Sequence, residues 1–148
     1  MKRSILSITV LLALMVATAA VADDKGVTIA FSFQATSAST FEGHYTLNGA
    51  INETGLAEAT AGTRVNDEGV LLLYSTKVMH LQGGDISLFV EGPLVFTGPS
   101  TFSVAGKWHL VAGTGAYTDV KGHGQCAIVG DFSTGLVSGA YEGKVNVK

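Results

Sequence analysis

The sequence contains one cysteine, two prolines and few charged residues, and beyond residue 22 it shows no helical periodicity. Because Cys126 has no second cysteine to pair with, it cannot form an intramolecular disulfide, and we interpret it as a small buried side chain. The absence of apolar residues at a 3.6-residue period argues against a helical fold. The chain must therefore build its core from other elements, without a covalent cross-link.

Residues 1–22 have the composition of an export signal. Lys2 and Arg3 provide the positive end, residues 5–16 the apolar stretch, and Ala20-Val21-Ala22 the small-residue cleavage pattern. A membrane anchor is the alternative, but polar residues interrupt a run that is already short for a span. We expect cleavage after residue 22, a single domain over residues 23–148, and a secreted or periplasmic location.

Residues 23–148, which remain after the predicted cleavage, contain few basic residues. Lys2 and Arg3 are two of nine basic residues, so residues 23–148 carry seven basic and twelve acidic residues, a net charge of −5. Nucleic acids and anionic membranes both bind to basic surfaces. The sequence therefore predicts neither nucleic acid nor membrane as a partner after the signal is removed.

Alternation of apolar and polar residues, typical of strands with one buried face, runs through most of the chain after residue 26. The segments predicted as strands are 27–35, 41–51, 55–63, 70–82, 85–96, 101–110, 117–128 and 136–147. In the fifth of these, Glu91-Gly92-Pro93 predicts a bend or bulge. Eight strands with short connections predict an all-β fold, an eight-stranded antiparallel up-and-down β-barrel closed by the last strand meeting the first, with a two-sheet sandwich as the alternative.

The pairing of the last three strands can be predicted from their inward faces. A hairpin centred on Thr114 places Trp108 opposite Val120, and the next hairpin places Cys126 near Tyr141. Glycines occupy many of the other inward positions in these strands. Such glycines favour a small closed barrel, because its inner surface is too narrow for a full set of side chains.

The segment GKWHLVAGTGAY at residues 106–117, followed by Gly122-His123-Gly124, resembles the allene oxide cyclase-like barrel family, as does Phe41-Glu42-Gly43 with Leu47. This family includes the dirigent proteins and uncharacterised bacterial exported proteins. The resemblance implies an eight-stranded barrel with an apolar interior, often assembled as a trimer. Cyclases of this family use an inward acid from an early strand, and the first strand here has none, so cyclase activity is not carried over.

The inward aromatic residues and the cysteine are the candidate ligand-binding residues. They are Tyr45, Trp108, Tyr141, Phe31, Phe33 and Cys126. We expect them to line a lumen that binds a small apolar or aromatic ligand; the alternative is that they are core residues that fill the barrel. Catalysis needs a titratable group with a shifted pKa. The titratable groups predicted inside the barrel are only two tyrosines and one thiol, so no catalytic residue is assigned.

No cofactor or metal is predicted. The predicted register separates His109 and His123 by about 10 Å or more, at roughly 3.3 Å per residue, and the other histidines show no ligand spacing. Gly113-Thr114-Gly115 differs from a phosphate-binding loop, since no helix and no lysine at the required spacing follow it.

Two classes of function stay open at this point. The first is an exported, non-catalytic barrel that binds a ligand in its lumen or acts through its outer surface. The second is an isomerase, cyclase or steering protein acting on a lipid-derived or phenolic molecule. An enzyme needs an inward acid or base, and Glu58 is the acid whose orientation is least certain, because its strand lacks clear alternation.

The fourth strand is apolar on both faces. We predict that Leu72, Tyr74 and Val78 point inward, which leaves four large side chains outside. These are Leu71, Leu73, Met79 and Leu81. Because soluble monomers rarely expose so many contiguous apolar residues, we expect a homo-oligomer, a trimer or a dimer.

Overall fold

A computed structural model describes residues 24–147, which form one sheet of eight antiparallel strands in chain order, closed into a barrel. The strands are β1 (Lys25–Ala35), β2 (Thr40–Gly49), β3 (Glu53–Val65), β4 (Leu71–Leu81), β5 (Gly84–Phe96), β6 (Thr101–Gly113), β7 (Lys121–Asp131) and β8 (Leu136–Asn146). β1 pairs with both β2 and β8, which confirms the up-and-down barrel and excludes the sandwich.

The predicted export signal, residues 1–22, lies outside the described residues. Within residues 24–147, no helix has the length and apolar character needed to cross a membrane.

The alternation of β1 positions the core as predicted. Val27, Ile29, Phe31 and Phe33 are all buried, whereas the residues between them are exposed. The inward parity predicted for β2, β5, β6, β7 and β8 is also confirmed, because their apolar residues join the same buried cluster. Burial of these side chains is the main stabilising contribution to such a fold.

Inward glycines make room for Trp108. Gly124 lies opposite both Trp108 on β6 and Gly143 on β8. A Cβ atom on Gly143 would collide with the indole ring and with the carbonyl oxygen of His123. The indole Nε1 donates hydrogen bonds to the carbonyl oxygens of Gln125 and Glu142, both at 3.1 Å, so the buried ring has no unsatisfied donor.

The predicted register of the β6–β7 hairpin is wrong, although its parity is right. Trp108 lies opposite Gly124 instead of Val120. The reason is the connection, in which a turn of 3₁₀-helix, Gly115–Tyr117, and a further turn lengthen the loop. The shift is an even number of residues, so the same side chains still point inward. The predicted pairing of Cys126 with Tyr141 is confirmed.

The predicted irregularity in the fifth strand is misplaced. The register between β5 and β6 is the same on either side of residues 91–93, at Glu91–Lys107 and at Leu94–Val104. The register shift lies between Ser87 and Leu88 instead. A bulge near the end of a strand increases the local twist, as closure of a barrel requires.

The predicted orientation of β4 is wrong. Leu73, Met79 and Leu81 are buried in the core, together with Ser75 and Lys77, while Tyr74 is exposed and Leu72, Val78 and Leu71 are half-buried. Pairing with its neighbours determines this parity, because Met79 lies opposite the inward residues Ala57 on β3 and Ile86 on β5. Three of the four side chains predicted to form an outer contact therefore belong to the core. The homo-oligomer stays a prediction without that support.

Candidate functional site

A cavity of about 410 Å³ opens at one end of the barrel. It lies where the β1–β2 loop, the β3–β4 end of the sheet and the β7–β8 turn meet. Its lining is mainly apolar and includes Phe33, Ala35, Ala38, Phe41, Ala59, Ala61, Leu73, Phe102, Ile128, Phe132 and Val137. Its polar residues are Ser37, Thr63, Ser75, Lys77 and Asp131. We call it the mouth cavity.

Lys77 is the charged side chain that is buried in this lining, with only 5% of its surface exposed. Its Nζ atom lies 5.3 Å from the centroid of the Phe33 ring and 6.0 Å from that of Phe31. Among residues 24–147, no carboxylate lies within 4.0 Å of this amine. In the described part of the chain, aromatic faces and one hydroxyl therefore stabilise the charge in place of a carboxylate partner.

The hydroxyl belongs to Ser75, which precedes Lys77 on the same inward face. Lys77 Nζ donates a hydrogen bond to Ser75 Oγ at 2.8 Å, and Ser75 Oγ donates its own hydrogen to the carbonyl oxygen of Thr60, also at 2.8 Å. Because its single hydrogen is used by Thr60, Ser75 can only accept from Lys77. An ammonium group has three N–H donors, so Ser75 satisfies one of them.

Burial lowers the pKa of Lys77 to about 8, and the coulombic influence of Cys126 acts in the opposite direction. At pH 7 roughly one molecule in ten would then carry a neutral amine at this position. A lysine held near neutrality in a cavity is a candidate functional group, because desolvation is one of the ways in which active sites tune an amine.

The six residues predicted to bind a ligand are all buried, but only Phe33 is among the residues that line the mouth cavity. Phe31, Trp108, Cys126, Tyr141 and Tyr45 pack elsewhere in the barrel interior. Their role in ligand binding stays a prediction. Their packing accords with the alternative that they fill the barrel.

Tyr45 is hydrogen-bonded away from the cavity. Its hydroxyl lies 2.9 Å from Glu53 Oε2 and 2.9 Å from the carbonyl oxygen of His80, and Glu53 Oε2 also accepts a bond from the backbone N–H of Gln82. Burial, reinforced by the Glu53 carboxylate, raises the pKa of Tyr45. This network ties β2, β3 and the end of β4 together.

Tyr141 is the inward tyrosine whose hydroxyl lacks a hydrogen-bond partner among the described residues. Its ring packs edge-on against Phe31, with 5.0 Å between the centroids. Burial of the hydroxyl raises its pKa. A neutral, unionised phenol is therefore the form that the interior favours.

Glu58, whose orientation the sequence left uncertain, points outward, with 59% of its side chain exposed. Its Oε1 lies 3.3 Å from His80 Nε2, and His80 Nδ1 lies 2.9 Å from Asp85 Oδ1. The hydrogen bond to Asp85 is the largest cause of a raised pKa at His80. This cluster lies on the outer surface, so Glu58 does not supply the inward acid that an enzyme would need.

The predicted separation of His109 and His123 is wrong, because the corrected register places them directly opposite each other. Cross-strand neighbours have Cβ atoms about 5 Å apart. No group of three or more potential metal ligands exists among residues 24–147.

Sequence reasoning missed both Lys77 and Glu53, the half-buried partner of Tyr45. The signal for Lys77 was present, since Leu73, Ser75, Lys77, Met79 and Leu81 form one face of an alternating strand. The sequence-based prediction assigned the opposite face to the core and therefore placed Lys77 outside the barrel.

In comparisons with known proteins, no family model matched the chain, and no curated protein and no solved structure was significantly similar to it. The resemblance to allene oxide cyclase-like barrels therefore stays a prediction based on one hairpin and a pattern of strands.

Proposed function

We propose that the protein binds a small, largely apolar or aromatic molecule in the mouth cavity, with one oxygen-bearing polar group of that molecule placed against Lys77. The observation that carries this proposal is a buried lysine that faces a mainly apolar cavity and has no carboxylate within 4.0 Å among the described residues. Isolated charges are costly to bury, so a fold that retains one at a cavity wall usually has a use for it.

The size and chemistry of the mouth cavity support this assignment. A volume of about 410 Å³ lies within the range of small-molecule sites, which are typically apolar with a small number of placed polar groups. Phe33 and Phe102 offer ring surface to an aromatic or aliphatic body. Two N–H donors of Lys77 that Ser75 does not use are available to a carboxylate or carbonyl oxygen.

The enzymatic alternative gains one supporting feature. An isomerase or cyclase requires an inward acid or base, and Lys77 is an inward titratable group on the cavity wall. No second ionisable group is hydrogen-bonded to it among residues 24–147, since Ser75 is its partner. Binding is therefore the function that the site supports better.

A pair of probes tests the proposal. A fluorescent naphthalene carboxylate and its neutral methyl ester would be titrated into the wild-type protein, K77M and K121M, the last changing an exposed lysine. We expect the carboxylate to bind the wild type and K121M with one-to-one stoichiometry. K77M should weaken carboxylate binding by at least tenfold and change ester binding little. Absence of stoichiometric binding, or equal carboxylate affinity for wild type and K77M, would overturn the proposal.

A further inference from the structure

We propose that Lys77 captures an apolar aldehyde or ketone in the mouth cavity as a reversible imine. This inference rests on the proposed function, because the carbonyl compound must first occupy the cavity. It assigns to the lysine a covalent role beyond that of a hydrogen-bond donor.

The hydrogen-bond arrangement leaves the amine free to act as a nucleophile. Ser75 uses its hydrogen on the Thr60 carbonyl, so it can accept an N–H from Lys77 but cannot donate to the nitrogen. Among residues 24–147, the recorded hydrogen-bond partner of Nζ is Ser75 Oγ, which acts as an acceptor. When the amine is neutral, its lone pair is therefore unbound, and the Ser75 contact fixes one N–H.

Burial supplies the neutral form that attack requires. The pKa of Lys77 is about 8, whereas an unperturbed lysine titrates near 10.5. At pH 7 the neutral amine is then roughly two orders of magnitude more abundant at Lys77 than at an exposed lysine. Desolvation in an apolar pocket is a recognised way to activate a lysine toward carbonyl compounds.

The step balances without an oxidant or reductant. The Nζ lone pair forms a bond to the carbonyl carbon, and the carbon–oxygen π pair moves to oxygen. That oxygen takes one proton from nitrogen to give a carbinolamine. Loss of the hydroxyl group as water, with the second proton from nitrogen, leaves the C=N double bond. Hydrolysis reverses the sequence, and the apolar lining of the cavity limits the access of water that hydrolysis needs.

Ser75 is a positioning residue in this scheme, since it acts through Lys77. S75A removes the acceptor that orients the amine, so trapping should slow by about tenfold. Its pH profile should also shift, because the hydrogen bond to the charged form is lost. S75T retains a hydroxyl and should show the wild-type trapping rate and pH profile. A purely structural role of Ser75 would not produce this outcome.

The experiment uses 2-naphthaldehyde as the carbonyl probe, with sodium cyanoborohydride to reduce any imine to a stable secondary amine. Peptide mass spectrometry would locate the adduct at pH 7. We expect modification of Lys77 at least tenfold faster than of the exposed residues Lys107 and Lys121, and no adduct at position 77 in K77R. The comparison between lysines is made within the wild-type protein, so it stands even if a variant fails to fold.

The non-carbonyl analogue 2-naphthalenemethanol separates the two proposals. It should bind the cavity and slow trapping at Lys77 without forming an adduct. If this alcohol binds with one-to-one stoichiometry but Lys77 is trapped no faster than Lys107 and Lys121, the imine is refuted and the binding function stands. If neither the alcohol nor the aldehyde binds the cavity, both proposals fail.

Discussion

The Nζ atom of Lys77 on β4 lies 5.3 Å from the centre of the Phe33 ring on β1, and two further strands separate these elements around the barrel. The lysine therefore spans the lumen to reach an aromatic face. A desolvated cation over a ring gains about 2 kcal/mol or more. Burying an ion costs several kcal/mol, so the contact offsets only part of that cost. Burial of the Lys77 charge therefore keeps a net cost in free energy, which should make the stability of the protein depend on pH.

The free energy of unfolding should depend on pH through Lys77. The folded state holds the proton only below about pH 8, whereas the unfolded chain holds it up to about 10.5. The unfolded state binds more protons between these values, so stability rises with pH across this window, by about 3 kcal/mol in total. K77M lacks the buried charge and should be more stable than the wild type at pH 7.

Urea titrations at pH 7, 8 and 9 check this prediction. The stability advantage of K77M should narrow by about 1 kcal/mol between pH 8 and pH 9. Raised pKa values at Cys126, Tyr45 and Tyr141 act in the opposite direction, because the unfolded state loses those protons first. Comparison with K77M largely cancels their effect. Identical pH dependence in the two proteins would contradict the prediction.

Phe33→Leu should lower the pKa of Lys77 further, because it removes the nearest aromatic face from the charged form. Phe31→Leu is the matched control, since its ring lies farther from Nζ, at 6.0 Å, and its effect on the same pKa should be smaller. Nitrogen NMR of the lysine amine as a function of pH measures both. An unchanged pKa of Lys77 in Phe33→Leu would mean that this aromatic face contributes little.

Trp108→Ala should cost about 3–5 kcal/mol of stability, because the ring is 1% exposed and both of its carbonyl acceptors would lose their donor. Val111→Ala, at an exposed position on the same strand, should change stability by less than about 0.5 kcal/mol. Urea unfolding followed by circular dichroism measures both changes. A loss below about 1 kcal/mol for Trp108→Ala would show that the ring is not packed as described.

Gly143→Ala should destabilise the barrel markedly, because the added methyl group would strike the Trp108 ring and the carbonyl oxygen of His123. Overpacking of this kind costs about 1–3 kcal/mol, or more where backbone must move. Gly26→Ala is the control, since nothing lies within 4 Å of the equivalent atom. Thermal melts of the two variants should differ by several degrees. Equal melting temperatures would argue against close packing at Gly143.

His80 should titrate above the ordinary histidine range, and Asp85→Asn should bring its pKa down, because the Asp85 hydrogen bond is the largest cause of the shift. A raised folded pKa means that the stabilising contribution is present below about pH 6.5 and is lost as pH rises through the folded value. Proton NMR of the His80 imidazole as a function of pH, in the wild type and in Asp85→Asn, measures this pKa. No change in Asp85→Asn would exclude the proposed pair.

Regular alternation made much of the fold predictable. In β1 each large apolar residue is followed by a polar or small one, so only one parity buries the apolar set. β4 lacks this property, because Leu71 to Leu73 are identical and both parities bury large side chains. Pairing with β3 and β5 determines which face of β4 is buried, and that face includes the charged Lys77. Local sequence patterns carry no information on this pairing.

The candidate site was hidden for the same reason. The inward face of β4 forms the floor of the mouth cavity. Lys77 on this face is buried, whereas a pattern based on polarity predicts an exposed lysine. Phe33 was predicted to face the lumen because its own strand alternates clearly. The turn at Gly115–Tyr117 moved the β6–β7 register by rearranging a loop, and such loop geometry is poorly encoded in alternation.

Pairing of β1 with β8 joins residues from opposite ends of the described chain, such as Lys25 with Val145. The first strand therefore has one unpaired edge until the last strand has been added, however early in folding it forms. Contacts of such sequence separation slow folding, because the entropy of closing the longest loop must be lost before they form. Until that moment the edges of β1 and β7 are both open to pairing with other chains. Protection from aggregation is thus acquired late, in the last pairing event.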